Sequence, residues 1–359
     1  MHIERVRITD VLGFRGARTV DLKLPGPGWT VLAGRNGSGK TTFLRALAQA
    51  LVQPPFAESL VAEGSSIDVE VVGEGPAFCA GYGPFRRLAG GAPEAQSLMR
   101  GEFARVASLF SEDASLAEGV AWLINQHLRA LEGKAGAREL KDSVLTLLGD
   151  GLLPDGYRVR DVDSDGLWVS YRGERFALRE MSDGYRTVTA LVVDLVRQLA
   201  DAGLGVDASG VVLIDEVDAH LHVSWQKRIG PWLKAHFPGI QFVVSTHSPY
   251  VCQAADPGGL IRLPGPDEQE PPRVVSDELY QRVVYGSGDD AVLSDLFGLD
   301  TPYSPRAVEL REHLAELEML VASGQADADG VREWEQLRDR LSSSPPSRVD
   351  DVTRHFDER

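Results

Sequence analysis

Cysteine is nearly absent from this 359-residue chain: only Cys79 and Cys252 occur, far apart and without other metal-ligating residues beside them. That excludes a disulfide framework and a cysteine zinc site, and it fits a reducing compartment. Long apolar runs are missing as well, since none approaches the roughly 20 residues that a bilayer span requires. The opening Met1-His2-Ile3-Glu4-Arg5 has no signal-peptide core. A cytoplasmic protein without a membrane partner is the expectation. Positive charge is in deficit, with a net charge of −16, which argues against sequence-independent coating of nucleic acid, because such binding needs concentrated Lys and Arg to release counterions. The deficit is uneven: residues 261–359 carry 22 acidic and 11 basic side chains, so −11 of the −16 lies there. A local DNA contact elsewhere stays open, with Arg86, Arg87, Arg100 and Arg105 as candidates, against the plainer reading of solvated arginines.

What the chain does contain is concentrated in a few short segments. Gly34-Arg35-Asn36-Gly37-Ser38-Gly39-Lys40-Thr41 matches the pattern GxxxxGK[ST] and follows the apolar run Trp29-Thr30-Val31-Leu32-Ala33. Glycines at these positions let backbone N–H groups turn inward onto phosphate oxygens. Lys40 can then reach the outer phosphates, and the Thr41 hydroxyl can hold Mg²⁺. A helix beginning near Lys40 and running through Thr42-Phe43-Leu44 adds the positive end of its dipole at the same point. The spacing therefore predicts a nucleoside triphosphate site with Mg²⁺.

Two buried strands follow. Val211-Val212-Leu213-Ile214 ends in Asp215-Glu216, and acids at the C-terminal end of a parallel strand face the crevice of an α/β sheet. Asp215 is expected to hold Mg²⁺, and Glu216 to orient and deprotonate the attacking water. Ile240-Gln241-Phe242-Val243-Val244 ends in Ser245-Thr246-His247-Ser248-Pro249, which places His247 on the phosphate edge as a γ-phosphate contact. Between the two halves, Met181-Ser182-Asp183-Gly184-Tyr185-Arg186 precedes an amphipathic helix from Thr187 to about Ala200, with Ser182 as its expected N-cap.

The order of P-loop, serine-glycine helix start, acidic strand end and strand-end histidine resembles the ABC-type ATPase heads of the SMC, RecF and OLD group. Within that group it is most similar to the compact AAA family ATPases of Septu-type phage-defence operons. The resemblance implies an α/β fold with a mixed central sheet, a small antiparallel N-terminal sheet, a helical insertion and a C-terminal helical hairpin. It also implies that Ser182 and Gly184 touch the γ-phosphate bound to a second copy, so that ATP lies between two heads in a head-to-tail homodimer or a higher oligomer. Arg15, near the N-terminal sheet, would border the adenine. The pattern departs from the transporter form in three places: Asp183 and Tyr185 replace Gly and Gln of LSGGQ, His222 stands at the D-loop aspartate, and no Q-loop glutamine is evident. Residues 81–87 either take the Q-loop's place or form a surface turn.

The remaining pattern divides the chain at 1–88 (first half of the ATPase core), 89–150 (helical insertion), 151–265 (second half) and 266–359 (acidic helical region). Ile3, Val6 and Ile8 against Val20, Leu22 and Leu24 read as a hairpin. Leu109, Phe110, Leu116, Val120, Leu123, Ile124, Leu128 and Leu131 are spaced for one buried helical face. The insertion is too short for a long coiled coil and carries no CxxC. Short strands are expected at 157–159, 167–169 and 176–178, and a Pro- and acid-rich linker at 264–272 as the end of the ATPase fold. Leu310, Leu314, Leu317 and Val321 against Val331, Trp334, Leu337 and Leu341 predict a helical hairpin. The expected function is an ATP-hydrolysing dimerisation switch, with antiviral defence through a co-encoded nuclease, HNH-type by resemblance, implied by the family. A DNA-repair or chromosome-maintenance head that binds DNA directly is the alternative.

Overall fold

A computed structural model describes residues 1–60, 62, 64–73, 78–86, 93–99, 101, 103–299 and 301–341. Along the chain, β1 (His2–Thr9) and β2 (Val20–Lys23) lead to β3 (Gly28–Ala33) and α1 (Lys40–Val52), followed by β4 (Ser66–Val72) and β5 (Cys79–Tyr82). The helices α2 (Pro93–Leu98), α3 (Ala104–Phe110), α4 (Ala117–Leu131) and α5 (Ala137–Gly149) form the insertion. Then come β6 (Arg158–Asp163), β7 (Gly166–Tyr171), β8 (Glu174–Ala177), α6 (Asp183–Asp201) and β9 (Gly210–Ile214). The first unit ends with α7 (Val223–Gln226), α8 (Ile229–His236), β10 (Ile240–Thr246), α9 (Pro249–Cys252), β11 (Leu260–Arg262), β12 (Arg273–Val274), α10 (Asp277–Tyr285) and α11 (Gly288–Val292).

The central sheet has the order β12-β11-β3-β10-β9-β5, parallel except for β12. Its Val- and Ile-rich strands are buried on both faces, as a covered parallel sheet requires. Along β9, Val211 and Leu213 join the core under α1, whereas Val212 and Ile214 join the core shared with α6. With a side-chain period of two, a slip of one residue would exchange these faces, so the register is firmly specified. Two antiparallel three-stranded sheets flank this layer, β2-β1-β4 and β6-β7-β8. The strands β6, β7 and β8 fall at the three places expected, except that Tyr157 precedes β6 and Leu178 begins a 3-10 turn.

Three expectations are corrected. In the insertion, Leu109, Leu116 and Leu123 are buried, but Leu128 and Leu131 are 44% and 71% exposed. The buried face of α4 runs instead through Gly119, Leu123 and Ala130, which leaves Leu128 and Leu131 outside it. The 264–272 stretch does not close the fold, because β12 returns to pair with β11 and Val275, Val283, Ala291 and Leu296 enter the main core. The compact unit accordingly runs from Met1 to Leu299, past the expected 265/266 boundary. A second unit, from Asp300 onward, contains α12 (Pro305–Ala322) and α13 (Ala328–Leu341). They pair as a hairpin with Leu317 and Leu337 buried, and His313 Nε2 lies 3.0 Å from Glu333. Among the described residues, no helix is long and apolar enough to cross a membrane.

Candidate nucleotide site

Parallel pairing aligns three strand ends on one edge. Ala33 lies beside Thr246, and Ile214 beside Val244, so the loops after β3, β9 and β10 meet. This is the crevice at strand C-termini where α/β sheets bind ligands. After β3 the chain turns through the glycine loop into α1. At Gly39 the backbone has φ +99°, and a Cβ would stand 2.8 Å from the Phe14 ring, so only glycine fits. Lys40, 7% exposed, donates from Nζ to the carbonyls of Gly34 at 2.8 Å and Arg35 at 3.1 Å. Burial lowers its pKa, opposed by Asp215, Glu216 and Asp218. An ammonium has three donors and these two carbonyls engage two of them.

Thr41 Oγ1 donates to Asp215 Oδ2 at 2.7 Å, and Ser245 Oγ donates to Asp215 Oδ1 at 2.5 Å. Hydroxyls from the P-loop helix and from β10 therefore hold both oxygens of one carboxylate. Glu216, next in sequence, has a pKa raised first by burial and then by Asp215 and Asp218, with Lys40 and Arg86 acting against them. His247 sits exposed at the end of β10, with its pKa lowered by partial burial and by Lys40. Its neutral form is thereby favoured. Thr246 Oγ1, just before it, donates to Asp218 Oδ1 at 2.5 Å.

The residues fit a nucleoside triphosphate on two observations. Among the described residues Ser38 Oγ, buried in the loop, has no hydrogen-bond partner, and Gly34 has no room for a Cβ, which would stand 2.9 Å from that hydroxyl. A Mg²⁺ ion would meet the Thr41 hydroxyl and Asp215, with further oxygens from phosphate and water in keeping with its preference for few protein ligands. Among the described residues, no cluster of three or more His, Cys, Asp or Glu is arranged as a metal cage.

The serine-glycine segment lies elsewhere. Ser182 occupies the N-cap position of α6 with extended backbone, but its side chain makes no capping bond, contrary to expectation. With Gly184, Tyr185, His220, His222 and Trp225 it lines a cleft of about 460 Å³ that includes no P-loop residue. Gly184 is needed there because a Cβ would come within 2.8 Å of the His220 carbonyl oxygen. His222 Nδ1 accepts from the Ser224 backbone N–H at 3.3 Å and so caps α7.

Several site residues differ from the sequence reading. Arg86 is neither a solvated arginine nor a surface contact for DNA: it is 2% exposed and donates to backbone carbonyls beside Asp215. Residues 81–82 belong to β5, hydrogen-bonded beside β9, which removes the surface-turn reading of the segment that begins there. Arg105 lies over the Phe78 ring, while Arg87 and Arg100 fall outside the described residues. Arg15 is exposed; Arg18 is the buried guanidinium of that region, donating to Ser38 O at 3.1 Å, Pro264 O at 3.0 Å and Gly265 O. The Arg35 side chain is turned onto Asp267, so its contribution to the loop is made by its backbone. Arg18 was not singled out, and the roles of Arg86 and Ser245 escaped the sequence reading, because they act on atoms far away in the chain. The one local signal was a small polar residue, Ser245, directly after the apolar run Phe242-Val243-Val244.

Two family models match this chain: residues 123–253 match one described as "AAA domain, putative AbiEii toxin, Type IV TA system", and residues 5–73 match one described as "AAA domain". With the P-loop and the acidic strand end on one edge of the sheet, these matches make both halves of the core similar to AAA domains. More particularly, it resembles Septu protein PtuA of Bacillus mycoides (strain KBAB4), with 28% identity over 67% of this chain and 37% of that protein. A shorter match, to the Retron Ec83 probable ATPase of Escherichia coli, has 42% identity over 25% of this chain and 17% of that protein. The chain thus spans well under half the length of these curated relatives. An SMC head solved bound to the C-winged helix domain of ScpA aligns over 77% of this chain and 97% of its own at 15% identity. Its TM-score of 0.48 is too low to add to a fold already defined by strand order.

Proposed function

We infer that this chain is an ATP-driven switch: ATP closes two copies head to tail, and hydrolysis opens them. The observation that carries this reading is the contact of Thr41 and Ser245 with the two oxygens of Asp215, beside Glu216. Lys40 and the loop N–H groups would bind the outer phosphates, and Thr41 and Asp215 would hold Mg²⁺. The ion supplies charge neutralisation between the phosphates when bound. Glu216, with its raised pKa, is suited to accept the proton of the attacking water. His247, held toward its neutral form, would donate a hydrogen bond to the terminal phosphate. Ser182 and Gly184 line a cleft apart from the P-loop, as expected of groups that complete a site on a second copy.

The likeness to PtuA and to a retron ATPase supports antiviral defence in the cytoplasm as the setting. Closure would then be transmitted to an effector nuclease encoded nearby, for which an HNH enzyme is the proposed class. The decisive test is Glu216→Gln. It keeps the phosphate contacts and removes the base, so hydrolysis should fall about 10²–10⁴-fold while ATP binding persists. ATP should then trap a species of twice the monomer mass. Wild-type turnover in this variant would remove Glu216 from the role of base, and a monomer at saturating ATP would remove the two-copy switch.

A further inference from the structure

Glu216 has φ +43°, in the left-handed region that a residue with a long side chain seldom occupies. Such a conformation costs about 1–3 kcal/mol and persists only where surrounding groups over-determine it. Four hydrogen bonds do so here, two on each of the peptide planes that meet at the Glu216 Cα. In the plane between residues 215 and 216, the carbonyl of Asp215 accepts from Arg86 Nη1 at 2.8 Å, and the N–H of Glu216 donates to Ser245 Oγ at 2.8 Å. In the plane between 216 and 217, the carbonyl of Glu216 accepts from Arg86 Nη2 at 2.9 Å, and the N–H of Val217 donates to the Ser245 carbonyl at 3.0 Å. Orienting both planes sets φ and ψ together, and so sets the direction in which the Glu216 side chain leaves the backbone.

We propose that Arg86 is the positioning residue for Glu216: its planar guanidinium grips the carbonyls on either side of that residue, opposite Ser245, and aims the carboxylate at the nucleotide. This rests on Glu216 acting as the base. Three features set Arg86 apart from a generic buried ion pair. Among the described residues its hydrogen bonds all go to backbone carbonyls, including Gly83 O at 2.8 Å, and none to a carboxylate. It is a buried cation, with its pKa pushed down to about 10 by burial while Asp215, Asp218 and Glu216 act to raise it. Its own segment is anchored to the insertion, since Ser108 Oγ of α3 donates to Gly81 O at 3.1 Å. A displacement of α3 would therefore be felt at Glu216 through one side chain.

The test uses the full chain with Arg86→Lys and Arg86→Gln. Lysine keeps the charge but lacks the rigid fork that spans two carbonyls, so it should not restore function. Both variants should lose at least about tenfold in kcat, with KM and nucleotide affinity within about threefold of wild type. In nucleotide-free protein, amide exchange at Glu216 and Val217 should accelerate at least about tenfold, while the amides of α1 keep their protection. Wild-type kcat and wild-type exchange in a folded Arg86→Gln protein would overturn the proposal, as would full rescue of both by lysine or a rise in KM alone. If Arg86→Gln does not fold, Arg86→Lys carries the measurement. If wild-type protein hydrolyses no ATP, the hydrolytic reading fails, but the exchange data still decide whether Arg86 holds Glu216.

Discussion

The phosphate edge and the serine-glycine cleft are built on opposite plans. On the phosphate edge, Lys40, Asp215 and Ser245 are buried; Lys40 is bonded to carbonyls of its own loop, and Asp215 accepts from Thr41 of α1 and Ser245 of β10. In the cleft, Ser182 and His222 are exposed, and the cleft walls come from the segments around α6 and α7 without a P-loop residue. Binding machinery that must hold phosphate charge has to be preorganised, because a loosely held Lys or Asp would spend interaction energy on ordering itself. A surface meant to meet a second copy must stay accessible until it does. In the proposed switch the first edge would bind the nucleotide and the cleft would meet the second copy.

Removing the ammonium tests the first half of that contrast and carries the largest expected effect. Lys40→Ala should weaken ATP binding by at least about 100-fold, or ~2.7 kcal/mol, read by titration calorimetry. Affinity equal to wild type would show that the loop does not bind phosphate. Ser182→Arg addresses the second half: binding should stay near wild type while closure and hydrolysis fall at least about tenfold. Mixing it with Lys40→Ala should recover part of the activity, since one composite site then pairs an intact Lys40 with an intact Ser182. Normal turnover by Ser182→Arg, independent of protein concentration, would place the whole reaction within one chain.

A gentler probe is pH. Glu216 is raised above the ordinary glutamate value by burial and by Asp215 and Asp218. A base must be deprotonated to act, so the hydrolysis rate should fall as pH drops through that raised value, above the range of an exposed glutamate. Binding measured over the same range should change less than the rate does. A rate–pH profile whose acid limb sits at the ordinary glutamate position would argue that Glu216 is solvated in the working state. The smallest effect belongs to Gly184→Ala, where a Cβ 2.8 Å from the His220 carbonyl forces a local shift costing about 1–3 kcal/mol. A thermal midpoint equal to wild type would mean that the cleft yields easily, which would widen the contrast in rigidity between the two regions.

How much of this was legible in the chain depended on distance along it. The P-loop occupies eight consecutive residues, and Asp215-Glu216 directly follows its strand, so both patterns survive in one dimension. The Arg86 carbonyl partners lie 129 and 130 residues onward, and the Arg18 partners at Pro264 and Gly265 lie 246 and 247 onward. Backbone carbonyls belong to every residue type, so no pattern of side chains marks them as targets. The same limit explains Leu128 and Leu131: helical spacing places them on one face of α4, but where the neighbouring elements stop covering that face is a tertiary fact.

By itself, then, the sequence determined the parts whose chemistry depends on residue type at short spacing. These are a glycine loop that can turn its N–H groups inward, a lysine and a threonine after it, acids at a strand end, and apolar periods that choose helix or strand. Only the tertiary structure decided which β9 residues face α1, that residues 273–296 belong to the first compact unit, and that Glu216 is clamped by Arg86 and Ser245 in a left-handed conformation. The reason is physical. Local patterns reflect steric and hydrogen-bonding preferences of a few adjacent residues, whereas burial of a guanidinium against particular carbonyls exists only after strands distant in sequence have paired in register.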